Sequence, residues 1–121
     1  MRFVLVTADP AVVKATEGAF QPDDDLLVFK RWQDALDACE DVDLMFVDMV
    51  STLEQPHKVS GYEKFAMAKM DHDVASSVPL VIIAPPDDYE MDFMVGWPNF
   101  VFAHLRRPLT YKLFRRATTW V

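Results

Sequence analysis

Residues 43–48 read Asp-Leu-Met-Phe-Val-Asp. Four apolar residues between two carboxylates are typical of a central, buried strand, with Asp48 at its carboxyl end. Two further apolar runs, at 2–8 and 79–84, lie before and after it in the chain. Runs that are apolar throughout, rather than alternating, favour parallel strands covered by helices on both faces.

Helical signals separate these strands. Asp9-Pro10 is a helix start, because an N-cap acceptor precedes a proline at the first helical position, and this helix is predicted to reach Phe20. Ser60 and Glu63 have the spacing of a capping box at the start of another helix. The remaining predicted elements are strands at 26–29 and 99–105 and helices at 31–40, 87–95 (ended by Gly96) and 109–120.

Five strands alternating with five helices predict a doubly wound, five-stranded parallel sheet in a three-layer α/β/α arrangement. A chain of 121 residues forms one hydrophobic core, so we expect a single domain over 1–121. In such sheets the functional crevice lies outside the carboxyl ends of the strands, where the strand order reverses. The segments to inspect are therefore 7–9, 48–51, 84–86 and 105–108.

Composition excludes several classes of protein. The longest strongly apolar stretch, 78–84, is too short to cross a bilayer, and the first apolar run stops before a signal-peptide core forms. Cys39 is the only cysteine, which agrees with a reducing compartment, and we expect it to be a small core residue. With three glycines, the chain has no phosphate-binding loop. We expect a cytoplasmic protein without a membrane partner.

Charge is distributed unevenly along the chain. Residues 1–92 hold 19 acids and 7 bases, whereas residues 93–121 hold five bases and no acid. Those five bases are Arg106, Arg107, Lys112, Arg115 and Arg116. They form either a patch for an acidic protein surface or simply a solvated helix face. The acidic remainder of the chain argues against direct binding of nucleic acid.

The chain resembles the receiver domain of bacterial response regulators in several places. Residues 43–48 match the phosphoacceptor strand of that family, 79–84 its fourth strand, Arg107-Pro108 its Lys-Pro pair, and 61–63 the start of its third helix. The resemblance implies a flavodoxin-like (βα)5 fold with Asp48 as the phosphoacceptor. It also implies two carboxylates that help hold magnesium after the first strand, and a hydroxyl and a lysine that bind the phosphoryl oxygens.

The sequence departs from the family at most of these positions. Thr7 and Ala8 stand where the metal-binding carboxylates belong, with Asp9 one place beyond, and Ala84 and Arg107 replace the hydroxyl residue and the lysine. A pocket of Thr7, Ala8, Asp9, Asp48, Ala84 and Arg107 offers magnesium only a weak site, at Asp9 and Asp48, so no cofactor is expected. A register slip of one residue would instead bring Asp9 into a metal-ligand position.

Arg107 suggests a replacement for the metal. If Arg107 and Asp48 face each other, the guanidinium pairs bidentately with the carboxylate and supplies a fixed positive charge. The site would then be locked in one state. In the alternative, Arg107 points to solvent and Asp48 accepts ordinary backbone hydrogen bonds.

The preferred interpretation is a stand-alone, degenerate receiver domain that is not an enzyme. It would act in bacterial signalling by protein–protein contact without phosphotransfer, with a homodimer through the last strand and last helix as one form of contact. The predicted interaction surface consists of His104, Arg106, Tyr111, Lys112, Arg115 and Arg116. The alternatives are a receiver phosphorylated on Asp48 with magnesium, and a small-ligand-binding flavodoxin-like protein whose long 50–60 loop forms a lid.

Three further predictions concern the exposure of aromatic residues, the role of His104 and the polar residues 71–73. Phe100 and Phe102 are expected in the core, whereas some area of Tyr111 and Trp120 is expected to be exposed. His104 occupies the position of the family's aromatic switch residue, which suggests an interface whose affinity responds to pH. The alternative is that His104 is a partly exposed polar residue without a role. The polar residues 71–73 are interpreted as a helix exit rather than a metal site.

Overall fold

A computed structural model of the chain describes residues 1–55, 58–85 and 100–121. The strands are β1 (Arg2–Val6), β2 (Asp25–Phe29), β3 (Leu44–Asp48), β4 (Leu80–Ile83) and β5 (Ala103–Leu105). The α-helices described are α1 (Pro10–Ala15), α2 (Trp32–Leu36), α3 (Ser60–Asp71) and α4 (Tyr111–Ala117), with 3₁₀ turns at Met49–Thr52, Ala75–Ser77 and Thr118–Trp120. The helix predicted at 87–95 and its stop at Gly96 lie outside the described residues.

The sheet confirms the predicted fold class. Its five strands are all parallel and run in the order β2-β1-β3-β4-β5. The order reverses between β1 and β3, where Val6 lies opposite both Phe29 on one side and Val47 on the other. The residues that follow Val6 and those at the end of β3 therefore meet at the switch point, which is where such sheets place functional groups.

Two apolar clusters cover the two faces of the sheet. Val4, Met45 and Ile82 pack with residues of α2 and α3 on one face. Phe46 and Ile83 pack with residues of α1 and α4 on the other. The central strands β1, β3 and β4 are buried on both sides, whereas β2 and β5 at the edges are partly exposed, and this explains why the central strands have the most apolar sequences. No helix in the described part of the chain is long and apolar enough to span a membrane.

Two helices are shorter than predicted. Helix α1 ends at Ala15, not Phe20, because the chain turns at Gly18, whose φ of 79° is the left-handed conformation that glycine adopts readily. Helix α2 spans Trp32–Leu36 rather than 31–40. The amide of Ala38 already bonds the Ala35 carbonyl three residues back, and Asp41 has a φ of 62° in the turn into β3.

The start of α3 differs from the predicted capping box. Ser60 is the first residue of α3 rather than its N-cap, and Val59 takes the cap position without a side-chain hydrogen bond. Gly61 lies against the backbone of the preceding loop: a Cβ there would collide with the carbonyl oxygen of Thr52 and lie 2.7 Å from the amide nitrogen of Glu54. The loop and α3 are therefore packed together at a point where only glycine fits.

The last strand and helix are also shorter than predicted. β5 begins at Ala103 rather than at residue 99, although the amide of Phe102 already bonds the Leu80 carbonyl at 2.8 Å. α4 begins at Tyr111, after Thr110, and continues as a 3₁₀ turn to Trp120. Its buried residues, Phe114 and Ala117, fix it against the sheet.

Candidate functional site

Asp48 ends β3 and is 1 % exposed. Both of its carboxylate oxygens accept hydrogen bonds from side chains. The hydroxyl of Thr7 donates to Oδ2 at 2.9 Å, and Nη2 of Arg107 donates to Oδ1 at 3.0 Å. The backbone amide of Val50 also donates to this carboxylate. The donors come from the residue after β1, the loop after β3 and the segment after β5, so the sheet topology itself assembles the site.

Arg107 reaches into the site from the segment between β5 and α4. Its side chain is 24 % exposed, so it does not point freely into solvent. The predicted contact with Asp48 is present, but the predicted bidentate geometry is wrong, because the guanidinium divides its donors between two acceptors. Nε donates to the carbonyl oxygen of Ala84 at 3.1 Å while Nη2 donates to Asp48. Ala84 therefore contributes its backbone oxygen to the site.

The residues after β1 form a compact turn beside Asp48. The buried Thr7 hydroxyl accepts a hydrogen bond from the Asp9 amide at 3.0 Å while it donates to Asp48. The Asp9 carboxylate accepts from the Ala11 amide at 2.9 Å and caps α1. The amide of Ala8 donates to the Ser51 hydroxyl at 2.9 Å. Ser51 lies in the segment 48–51 that the strand-end rule selects for inspection, although it is not among the predicted pocket residues.

Burial raises the pKa of the Asp48 carboxyl above its ordinary value. The Thr7 hydroxyl, the Arg107 charge and the Val50 amide all favour the ionised form and oppose this effect. The direction of the shift shows that loss of hydration outweighs the combined donors. Arg107 thus offsets part of the free-energy cost of burying the negative charge of Asp48.

The residues present do not fit a magnesium ion. Magnesium requires near-octahedral oxygen ligands, and an arginine cation already contacts one oxygen of Asp48 while a hydroxyl proton occupies the other. Asp9, the second predicted weak ligand, uses its carboxylate to cap α1. Within the described ranges, no three His, Cys, Asp or Glu side chains come together as a metal site.

The predicted interaction residues lie on and around β5 and α4. His104, Arg106, Lys112 and Arg116 are exposed, and none of these four forms an ion pair with another described residue. Tyr111 and Arg115 are exposed too but contact each other, with the guanidinium carbon 5.3 Å from the ring centroid. Arg115 also donates from Nη2 to the Gly18 carbonyl at 2.8 Å, so it joins α4 to the turn after α1.

The prediction that Phe102 belongs to the core is wrong. Its side chain is 55 % exposed and touches Trp120 at a ring-centroid distance of 6.3 Å. Phe102 precedes the short β5, where the alternation of a regular strand does not yet determine the direction of its side chain. Phe100, by contrast, is partly buried and packs between Tyr62 and Phe65.

Lys69 is a buried cation on α3 and is not among the predicted site residues. It is 3 % exposed, and its Nζ donates to the carbonyl oxygen of Val78 at 2.7 Å and lies 5.7 Å from the Phe100 ring centroid. Burial lowers the pKa of this ammonium group. The signal available in the sequence was a lysine three residues after Ala66 on an otherwise buried helix face.

Two further residues occupy their predicted places. Cys39 is buried, and desolvation raises the pKa of its thiol to about 11, which identifies it as a core residue rather than a nucleophile. His72 caps the end of α3, and its Nδ1 accepts hydrogen bonds from the amides of Val74 and Ala75. Residues 71–73 are therefore a helix exit, as expected.

Comparison with known proteins gives structural matches alone. No protein-family model matches the sequence, and no curated protein matches it significantly. Among solved structures, a CheY-like response regulator receiver domain protein from Methanospirillum hungatei aligns with a TM-score of 0.68 and 14% identity, over 98% of this chain and 91% of that one. A signal receiver domain of a two-component histidine kinase from Clostridium thermocellum aligns with a TM-score of 0.70 and 12% identity, over 98% and 94% of the chains.

A third match shows what the site of such a domain can hold. The receiver domain of a sensor histidine kinase from Pseudomonas aeruginosa aligns with a TM-score of 0.69 and 13% identity, over 98% of this chain and 94% of that one. That structure has a magnesium ion coordinated in its active-site cleft. At these identities the likeness concerns the fold, and the alignments cover nearly the whole of each chain. The chain therefore has the fold of response-regulator receiver domains.

Proposed function

We propose that this chain is a receiver domain of bacterial two-component signalling that works by protein–protein contact, without phosphorylation of Asp48. The receiver fold, shared over almost the whole chain, supports the signalling class. The domain would be a binding module rather than an enzyme. The buried lone Cys39 is compatible with the cytoplasmic location expected from the sequence.

The contact between Arg107 and Asp48 is the observation that carries the proposal. Acyl-phosphate formation on an aspartate needs a free carboxylate oxygen and a divalent cation that neutralises the transferring group. Here Arg107 takes one oxygen and Thr7 the other. The cation supplied by Arg107 is covalently fixed, so the carboxylate is held in a single charge-paired arrangement.

Output would pass through a surface that we call the aromatic–basic surface, defined by Phe102, Trp120, Arg106, Lys112 and Arg116. Phe102 is exposed beside Trp120, and the three cations are exposed without an acidic partner among the described residues. Aromatic and arginine side chains are enriched at protein interfaces. A partner of matching chemistry presents carboxylates around an apolar centre.

The test is chemical phosphorylation of the purified protein. Incubation with acetyl phosphate and Mg²⁺, followed by intact-mass spectrometry, is expected to give no adduct on the wild-type chain. A variant that carries Thr7→Asp, Ala8→Asp, Ala84→Thr and Arg107→Lys restores the family's residues around Asp48. We expect that variant to gain a labile phosphoryl group, with circular dichroism used to verify that it is folded.

Asp48→Asn serves as the control in both backgrounds, because it removes the acceptor while keeping the side-chain shape. An adduct on the wild-type chain that disappears in Asp48→Asn would establish the phosphorylated receiver instead. Binding of beryllofluoride with Mg²⁺, followed through the amide resonances around Asp48 by NMR, provides a second readout that does not depend on the lifetime of an acyl phosphate.

A further inference from the structure

Helix α3 exposes apolar side chains on a face that has acidic neighbours. Met67 is 60 % exposed and Met70 is 47 % exposed, and their spacing of three residues places them side by side. Glu63 and Asp71 lie four residues before and after Met67, and both are exposed. We call the surface formed by Glu63, Met67, Met70 and Asp71 the α3 face.

Lys64, three residues before Met67 on α3, is already paired. Lys64 donates to both carboxylate oxygens of Glu54, at 2.8 and 3.1 Å, so its charge is balanced within the chain. The charges left on the α3 face are the carboxylates of Glu63 and Asp71. An exposed pair of methionines between carboxylates suits an adaptable apolar contact with a basic surface, since the thioether packs well against aromatic rings.

The chain itself presents a surface of that chemistry. The aromatic–basic surface supplies Phe102 and Trp120 for the methionines, and it supplies Arg106, Lys112 and Arg116 for the carboxylates. A symmetric contact between two aromatic–basic surfaces would set three cations against three cations, which is electrostatically unfavourable. A contact between two α3 faces would likewise oppose carboxylates to carboxylates. Pairing of the unlike surfaces removes both conflicts.

We propose that the α3 face of one copy binds the aromatic–basic surface of a second copy. The inference rests on the surface named in the proposed function, and it identifies a partner for that surface. Helix α3 covers one face of the sheet and α4 the other, since Tyr62 and Phe65 belong to one apolar cluster and Phe114 and Ala117 to the other. Each contact therefore leaves one free α3 face and one free aromatic–basic surface, so association is head to tail.

The test is sedimentation velocity over a range of protein concentrations. At low salt the wild-type chain is expected to show an average mass that rises with concentration, and high salt should reverse this because it screens the charges. Two variants each disable one surface: Met67→Lys/Met70→Lys and Lys112→Glu/Arg116→Glu. Each should weaken self-association at least about tenfold, the usual effect of losing the central residues of an interface.

Mixing the two variants separates this contact from any other. The first variant keeps its aromatic–basic surface and the second keeps its α3 face, so the mixture should form a 1:1 heterodimer that stops growing. The matched control, Lys30→Glu/Arg31→Glu, makes the same change in net charge as Lys112→Glu/Arg116→Glu, at two exposed residues that belong to neither surface. It should associate like the wild-type chain.

Several outcomes would overturn the proposal. These are a wild-type chain that stays monomeric at all concentrations, a Met67→Lys/Met70→Lys variant that associates normally, and a mixture that forms no heterodimer. Association lost only in Lys112→Glu/Arg116→Glu would mean that the aromatic–basic surface binds a different part of the second copy. None of these results bears on phosphorylation, which the acetyl phosphate assay measures, so the two proposals fail separately.

Discussion

Arg107 and Asp48 are 59 residues apart in sequence, yet Nη2 of the arginine lies 3.0 Å from Oδ1 of the aspartate. The contact follows from the parallel sheet, because β3, β4 and β5 are neighbours and their carboxyl ends lie at one edge. Arg107 bonds the end of β3 through Asp48 and the end of β4 through the Ala84 carbonyl. A single side chain thereby joins three strand ends and supplies the cation of the site.

Replacement of Arg107 by alanine is expected to raise the pKa of Asp48 further. Burial already raises this pKa, and the arginine is one of the groups that oppose it. Without the guanidinium, only the Thr7 hydroxyl and the Val50 amide favour the carboxylate. Titration of the Asp48 carboxyl carbon by NMR measures the change. Arg106→Ala, which removes an exposed neighbouring cation, is the control, and an equal shift in both variants would contradict a specific role for Arg107.

Asp48 is also expected to affect the pH dependence of stability. Its folded-state pKa lies above the ordinary value of 3.8, so between these two values the native state binds more protons than the unfolded state. The free energy of unfolding of the wild-type chain should therefore fall, relative to Asp48→Asn, as pH rises through that window. Urea denaturation of both proteins over a pH series measures the difference. A difference that changes in the opposite direction would mean that Arg107 and Thr7 outweigh burial.

Gly61→Ala is expected to destabilise the protein by about 1–3 kcal/mol, the usual cost of forcing an extra carbon into a packed site. The added Cβ would meet the backbone of Thr52 and Glu54, which cannot rotate away as a side chain would. Chemical denaturation provides the measurement. Ser60→Ala is the matched control, because the neighbouring serine makes no capping bond. Equal stability of the two variants would show that the loop at residues 52–54 can move away from α3 at little cost in free energy.

Lys69→Met is expected to remove a pH dependence of the free energy of unfolding at alkaline pH. Burial lowers the pKa of Lys69 below its ordinary value of 10.5, so between the two values the unfolded state binds more protons. The wild-type chain should gain stability relative to Lys69→Met as pH rises through that window. Lys64→Met, at an exposed lysine, should show no comparable trend. Parallel stability curves for wild type and Lys69→Met would indicate a lysine that titrates normally in the fold.

The strands and the site could be predicted largely because apolar runs in the sequence indicate the strands of a parallel sheet. The side chains of an apolar run such as 80–83 are buried on both faces only between two layers of helices. A parallel arrangement of the strands then brings Thr7, Asp48 and Arg107 to one edge of the sheet. The orientation of the guanidinium could not be predicted, because it depends on the Ala84 carbonyl as a competing acceptor. The segment 48–51 was selected, but the hydrogen bond from the Ala8 amide to Ser51 could not be predicted, because the path of the loop after β3 leaves no periodic signal.

Helix ends and buried charges were predicted less well for a different reason. The end of α1 depends on the backbone angle at Gly18, which competes with a helical pattern that continues to Phe20. Lys69 lies on an apolar stripe, where a lysine is ordinarily expected to extend towards solvent. Its burial depends on the Val78 carbonyl and the Phe100 ring, which come from elsewhere in the chain.

The buried thiol of Cys39 can report local opening of the fold, because it reacts only when it becomes exposed. Its Sγ lies 3.3 Å from the Ala35 carbonyl oxygen, and with a thiol pKa of about 11 almost no reactive thiolate is present near neutral pH. Alkylation by iodoacetamide must then wait until the segment that contains Cys39 moves away from the apolar cluster that covers it. The labelling rate of the unmodified chain consequently measures how often that segment opens, without the introduction of any probe.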